Sequence, residues 1–532
     1  MFLNLAVVVF VLLIGYWWAN QGLFSAIIHL VCVIVAGALA LAFWEPFAYG
    51  LLMRGSFFDP YAVGAGLLIP FVVALVILRL TTNKLVPANV LLPKWANLSL
   101  GYPVGLASGV LTIGLLLIGL GMMQSDRSLL GFVGYGRANA GKVAQISSLW
   151  LPVHQLTDAF YSRLSVGALS TSQPLRHYNP QLYQQSASLL RDSFRGGRGQ
   201  VTMRPSQASV EWVRVCPKKC VVMVRFKRGA QDYGTQLTVS GSQIRLIATG
   251  SGTATPHVAF PERWRQEISD GGQHIFRFDD RSHYVTTIAG REVADMLFEF
   301  PWPEGLLPQF IQIKNARLEL KQIQSMPSCN RVMRDGGRTR AAATDFTGKR
   351  LLVASAGGPR GGGISVSDST VPVMTNTNRL PSSMKEQDKK LLEGFAVFGR
   401  ERSFVGPALR IDKFFETIGT RIVQVDVSRG QPGSIFSKAA GKAAPDAVAM
   451  LVDSKGNTYS AIGYVHERTD GVEIRLYPAD GLSADLIPHL PTSGSQKLRL
   501  IFQVTLNSRI VGFQLGDMPL ARCNILVRER QG

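Results

Sequence analysis

Leu100-Gly101-Tyr102-Pro103-Val104-Gly105-Leu106-Ala107-Ser108-Gly109 opens the last long apolar run of the chain, just before the polar tail of residues 124–532 begins. Glycines 101, 105 and 109 recur every fourth residue, so on a helix they share one face and let a second backbone approach closely. The reading is a helix-packing seam formed by Gly101, Gly105 and Gly109, with a functional crevice as the sharper alternative.

Working outward, four apolar runs are visible at about residues 2–18, 23–43, 62–80 and 104–123. Each approaches the ~20 residues a helix needs to cross a ~30 Å hydrocarbon core. The first has no basic start, and Trp17-Trp18-Ala19-Asn20-Gln21-Gly22 leads directly into the second, which predicts a retained helical hairpin with interfacial tryptophans. Residues 1–123 carry Arg54, Arg79, Lys84 and Lys94 against Glu45 and Asp59, which is +2 of the whole-chain +20 and leaves +18 on the tail. The N-terminal part is membrane-like and the tail is soluble and basic.

Loop charges nearly tie and do not orient the bundle, with Arg79, Lys84 and Lys94 on one side and Arg54, Arg127, Arg137 and Lys142 on the other. The tail cysteines, Cys216, Cys220, Cys329 and Cys523, allow three disulfide connectivities, and Cys216 to Cys220 could close a small loop. That even count favours a tail outside the cytoplasm.

The short first loop, the Gln21-Gly22-Leu23 entry to the second run, and Leu100-Gly101 followed by Gly105 and Gly109 resemble the colicin V production protein family over about residues 1–125. Members often carry Arg before the helix-two glycine, Asp-Arg before the glycine series and Arg within it. Here those places read Gln21, Asn97-Leu98 and Ser108, so the packing glycines are kept and the basic positions are not. The resemblance implies an inner-membrane protein connected with export of a peptide toxin, without catalysis, and with both termini outside the cytoplasm.

Residues 124–200 read as a helical connector, with apolar spacing around Val143 to Val153 and Leu182 to Leu190. Within it, Gly136-Arg137-Ala138-Asn139-Ala140-Gly141-Lys142-Val143 follows the phosphate-loop pattern until Val143 replaces the required Ser or Thr, and no strand precedes it, so no nucleotide cofactor is expected. From Val201 onward, β-branched alternation broken by glycine turns predicts antiparallel strands. Two copies align: Val221–Gly229 with Ile422–Gly430, Leu297–Phe300 with Ile501–Val504, and Phe310-Ile311-Gln312-Ile313 with Val511-Gly512-Phe513-Gln514. The expected architecture is a multidomain membrane protein: a four-helix transmembrane bundle (1–123), the connector (124–200), a first antiparallel β-sandwich (201–325), a flexible glycine-rich linker (326–390) and a second β-sandwich (391–532), both immunoglobulin-like.

Evidence for catalysis is thin. The eight histidines are scattered, Asp279-Asp280-Arg281-Ser282-His283 reads as a polar turn, and no Gly-x-Ser-x-Gly elbow occurs, so no catalytic residue, metal or cofactor is expected. Arg214, Lys218, Lys219, Arg225, Lys227 and Arg228 form a candidate patch for an anionic lipid or envelope polymer; a second basic cluster runs from Arg331 to Arg350. Nucleic acid is not expected, since no binding module accompanies the charge. The expected role is non-enzymatic, an envelope scaffold or export accessory bound to the bilayer and to a membrane or envelope protein. The competing reading is a transport or channel subunit, for which the sequence offers only His29 well inside an apolar run.

Overall fold

A computed structural model describes residues 2–55, 57–86, 93–170, 172–193, 201–230, 237–249, 255–267, 273–278, 284–287, 293–330, 332–333, 352–353, 355–356, 365–367, 380–387, 390–399, 413–416, 420–428, 436, 439, 442, 447–454, 458–478, 482–488, 490, 496–506 and 508–528. Most of the glycine-rich stretch, the Asp279–His283 turn and most of the Arg331–Arg350 cluster lie outside the described residues. The chain forms two compact units, one of Met1–Trp264, Phe276–Val285 and Asp295–Met333, the other of Arg265–Ile275, Thr286–Ala294 and Arg334–Gly532.

The first unit begins with α1 (Phe2–Gln21), α2 (Leu23–Phe47), α3 (Ala62–Leu85) and α4 (Lys94–Gly121). Four helices, including the π turn Ala48–Leu52 that extends α2, are long and apolar enough to cross a membrane. α4 starts ahead of the apolar run and passes through Pro103, so the opening glycines sit inside a continuous helix. α2 likewise runs past its apolar run through Pro46, which brings Glu45 into a spanning segment that sequence had read as free of carboxylates.

The glycine seam of α4 lies against α1. A Cβ on Gly105 would sit 2.7 Å from the Gly15 carbonyl oxygen, one on Gly109 3.0 Å from that of Val11, and one on Gly101 3.3 Å from Ala19 Cα. Neighbouring Ser108 is buried and donates to the Gly105 carbonyl at 2.8 Å, which satisfies its hydroxyl within the helix. Gly105→Leu should therefore push α1 and α4 apart and lower bundle stability by about 1–3 kcal/mol. Thermal unfolding in detergent measures this, with Gly50→Ala, where a Cβ meets nothing, as the unchanged control.

The connector supplies the hairpin β1 (Tyr135–Asn139) and β2 (Lys142–Gln145), then α5 (Val153–Val166) and a short α6 (Leu175–Tyr178). α5 packs against α2 and α4 within their spanning segments: the Thr157 hydroxyl donates to the Val110 carbonyl at 3.2 Å and the Tyr161 hydroxyl to that of Val33 at 3.1 Å. Gly114 and Gly37 leave the space for these two side chains. Its buried face holds the polar His154, Thr157 and Asp158 together with Val153 and Tyr161, whereas Leu156 and Arg163 are exposed.

The strands of the first β-rich region are β3 (Ala208–Cys216), β4 (Lys219–Lys227), β5 (Thr238–Ser240), β6 (Ile244–Ala248), β7 (His257–Ala259), β8 (Arg263–Glu267), β9 (Gln273–Arg277), β10 (Tyr284–Thr286), β11 (Val293–Pro301), β12 (Phe310–Ile313), β13 (Ala316–Glu319) and β14 (Ile323–Ser325). They form a six-stranded sheet of order β14-β3-β4-β11-β8-β9 and a four-stranded sheet of order β13-β12-β6-β7. The second unit contributes β15 (Leu352–Val353), β16 (Ser355–Ala356), β17 (Ser365–Ser367), β18 (Met384–Gln387), β19 (Lys390–Gly399), β20 (Lys413–Phe414), β21 (Thr420–Asp426), β22 (Ala449–Asp453), β23 (Thr458–Glu467), β24 (Gly471–Leu476), β25 (Lys497–Thr505), β26 (Arg509–Leu515) and β27 (Met518–Leu526). Its central strands are buried on both faces: Leu500 and Phe502 of β25 enter one core cluster, while Ile501 between them enters another.

Strand order repeats between the units. β13-β12-β6-β7 corresponds to β27-β26-β22 and the first half of β23, and β9-β8-β11-β4 corresponds to β24, the second half of β23, β25 and β21. One long strand in the second unit does the work of two short ones in the first. The two-residue turns fix the register: Lys314 and Asn315 between β12 and β13 both have positive φ, as a type I′ turn requires, and Gly516 opens the equivalent turn before β27. Gln312 thus matches Gln514, both buried, which moves the third alignment read from the sequence by one residue. Parallel pairs also occur where only antiparallel ones were expected: β14 with β3, β15 with β27, β16 with β17, and β19 with β20. β14 and β15 are short strands separated from β3 and β27 by more than 100 residues, a path that permits parallel pairing. The described β-rich region contains several sheets and no closed barrel.

Candidate functional site

The most developed polar site joins α2 to the β12–β13 hairpin, entirely within the first unit. Glu45 and Tyr49 stand one helical turn apart at the end of α2. Glu45 pairs with Arg317 of β13 and accepts from Asn179 Nδ2 at 2.9 Å, while the Tyr49 hydroxyl donates to the Asn315 carbonyl at 2.9 Å. The Arg317 guanidinium lies 4.7 Å from the Tyr178 ring centroid, and Tyr178 stacks on Phe310. The type I′ turn presents the Asn315 carbonyl, and strand alternation puts Phe310 and Gln312 on one face of β12.

From there the network runs inward. Gln312 Nε2 donates to Asn179 Oδ1 at 3.0 Å, and Gln312 Oε1 accepts from Arg245, whose other terminal nitrogen donates to the Pro180 carbonyl at 2.7 Å. Asp158 of α5 accepts from Ser162 Oγ at 3.3 Å and from the Tyr183 amide at 3.5 Å. Burial pushes the Asp158 carboxyl up to about 6, against the opposing pull of those hydrogen bonds and of Arg245. Burial also lowers Arg245 to about 9, with Asp158 acting the other way. Two carboxylates, Glu45 and Asp158, thus face two guanidiniums, Arg317 and Arg245. A charge-balanced, internally bonded cluster of this kind holds surfaces in register.

A carboxyl raised in the folded state keeps its proton where the unfolded chain has lost it, so the Asp158 contribution to stability falls as pH rises from 3.8 to about 6, while His154, lowered by burial to about 4, contributes in the opposite direction between pH 4 and 6.5. At 1.36 kcal/mol per unit the Asp158 window spans about 3 kcal/mol. Asp158→Asn should remove the Asp158 share alone, so that the variant gains stability relative to wild type as pH rises from 4 to 6 and is at least as stable as wild type at pH 8, measured as the difference in melting temperature against pH.

Two further ties secure the same unit. Asp192 pairs with Arg137 at 3.3 Å and Arg127 at 3.6 Å and accepts from Ser242 Oγ at 2.6 Å, which consumes two cations that had entered the loop-charge comparison. In the α2–α3 loop, Asp59 pairs with Arg204 at 3.8 Å, and its carbonyl accepts from the Thr202 hydroxyl at 3.1 Å.

The residues singled out in the sequence are distributed as follows. Cys216 and Cys329 form a disulfide; Cys220 is a buried thiol and Cys523 a half-buried one. A Cys216–Cys220 loop is ruled out by register, because Cys216 faces Lys219 and Val215 faces Cys220 across the β3–β4 hairpin, so the two cysteines point to opposite faces. The phosphate-loop-like stretch is the β1–β2 hairpin, with Arg137 opposite Val143, and presents no helix N-terminus.

Much of the basic patch is internally committed. Arg225 makes a bidentate pair with Asp295, with both contacts at 2.8 Å, and Lys219 bonds Glu299 at 3.0 Å beside the Arg263–Glu299 pair. Burial raises the Glu299 carboxyl, but Arg263 and Lys219 outweigh it and hold the group below its usual range. Arg214 bonds the Val213 and Gln322 carbonyls, Lys227 bonds that of Ser206, and Arg228 also has a partner. Lys218, the exposed turn residue, occupies a positive-φ position. Sequence reasoning missed Asp158, Asn179, Arg245, Gln312 and Arg317; the available signal was Glu45, an acid two residues past the end of the second apolar run. Among the described residues, no group of three or more His, Cys, Asp or Glu is arranged to hold a metal ion.

Compared with known proteins, the chain matches no family model, no curated protein and no solved structure.

Proposed function

We propose that the chain is a non-enzymatic membrane scaffold of the cell envelope, with its β-rich modules outside the cytoplasm and engaged in binding another membrane or envelope component. The observation that carries this reading is the Glu45–Arg317, Tyr49–Asn315 and Asn179–Gln312 junction, which seats the first β module directly on the membrane helices. A module fixed in this way transmits position and presents a constant surface, as a scaffold requires. The Cys216–Cys329 disulfide supports the extracytoplasmic placement, because such bonds persist in oxidising compartments. On the same reading the modules are immunoglobulin-like sandwiches, and the resemblance of the bundle to the colicin V production family extends the role to peptide-export accessory.

Photocrosslinkers at the exposed Phe395 and Val397 of β19, in full-length protein in intact cells, test the reading. The expected result is a discrete adduct with one membrane or envelope protein. A solute-conducting bundle is the second reading, favoured by one observation, the Asp158 carboxylate on a helix packed against α2 and α4. Solute flux in proteoliposomes that Asp158→Asn abolishes, with no adduct from β19, would replace the scaffold with a transporter.

A further inference from the structure

The end of the bundle remote from the β12–β13 junction has a different electrostatic character. Glu45 and Asp59, the acids of residues 1–125, both lie at the α2–α3 end, whereas Arg79, Lys84 and Lys94 lie at the opposite end, where α1 turns into α2 and α3 leads to α4. Arg79 is six residues before the end of α3, about 9 Å along the helix axis at 1.5 Å per residue, a depth near the boundary between acyl chains and headgroups. Its Nη2 donates to Ser25 Oγ at 2.8 Å, and its guanidinium lies 4.7 Å from the Trp18 ring centroid. Trp18 in turn stacks on His29, with centroids 3.9 Å apart, so α1, α2 and α3 together hold the guanidinium in place.

Among the described residues no carboxylate pairs with Arg79, although the guanidinium has five donors and Ser25 accepts from one of its nitrogens. A half-buried, oriented cation in a membrane helix is costly unless an anion meets it. In a bilayer, the anion present at that depth is the phosphodiester of a lipid headgroup. Lys84 and Lys94 add positive potential at this end of the bundle, whose sequence contains no acid, and that potential favours a headgroup with net negative charge over a zwitterionic one. We propose that Arg79, oriented by Ser25 and Trp18, is a headgroup site for an anionic phospholipid in the leaflet opposite the first β module.

The test uses the full-length protein purified in detergent and titrated with phosphatidylglycerol, phosphatidylcholine or inorganic phosphate, with bound lipid counted by native mass spectrometry. Wild type should prefer phosphatidylglycerol over phosphatidylcholine by about fivefold or more, and Arg79→Gln should remove that preference. Arg79→Lys, which keeps the charge and loses the planar fork, should retain only part of it. Equal retention of both lipids by wild type, or an undiminished preference in Arg79→Gln, would overturn the site. Displacement of the lipid by millimolar inorganic phosphate would assign the site to a free anion and likewise overturn the proposal. If Arg79→Gln does not fold, Arg79→Lys carries the test, and an undiminished preference in that variant would overturn the site.

Discussion

Replacing Cys329 with serine should lower the stability of the first unit by about 4–5 kcal/mol, the scale expected for releasing a cross-link across a long loop. The bond joins residues separated by 113 positions. It also holds a segment with few other attachments: β14 makes a three-residue parallel ladder with β3, and the Met326 amide donates to the Val215 carbonyl at 2.8 Å. Without the bridge, residues 323–330 should exchange amide hydrogens first, while the β3–β4 hairpin stays protected. Denaturant unfolding and hydrogen exchange with and without reductant measure both effects. Cys216→Ser should match Cys329→Ser, and the double variant should add nothing, because one bond is lost in each case. A change below about 1 kcal/mol would mean that β14 is held by its ladder alone.

The second large effect is expected at the membrane junction. Arg317→Met should cost about 3–5 kcal/mol, because it leaves the Glu45 carboxylate in a mostly buried site with only Asn179 as donor. Glu45→Met combined with Arg317→Met should recover most of that loss, since well-packed apolar replacement of a buried pair is close to neutral. Melting temperatures of the two single variants and the double variant in detergent give the coupling energy directly. Additive losses would show that the two side chains act separately and that the stack of Arg317 on Tyr178 and Phe310 carries the effect.

These two features also mark how far the sequence could be read. The four helices long and apolar enough to span a membrane were legible because apolar length depends only on local composition, and the β-rich tail because period-two alternation is local. A repeated strand order was legible in the Val221 and Ile422 strands, whose neighbours β11 and β25 keep the same pairing, whereas the Phe310 alignment was off by one residue because its register is set by the turn. Long-range partners were hidden. Arg225 and Lys219 read as a free basic patch because Asp295 and Glu299 lie 70 and 80 positions away, and Arg317 meets Glu45 across 272. Such pairs arise from the fold and leave no spacing signal in the chain.

The glycine seam had the simplest outcome: Gly101, Gly105 and Gly109 lie where α1 comes closest to α4. The junction at Glu45 lies at the other end of α2 from the Arg79 cluster, so the bundle has one end fitted to protein and one with only positive charge.

The central claim, a first β module seated on the apolar helices and a tail outside the cytoplasm, is tested most directly by reporters fused to the C-terminus in living cells. A periplasm-dependent phosphatase should be active there and a cytoplasm-dependent fluorescent protein dark. A bright fluorescent fusion with an inactive phosphatase would place the modules in the cytoplasm and contradict the scaffold proposed for the envelope.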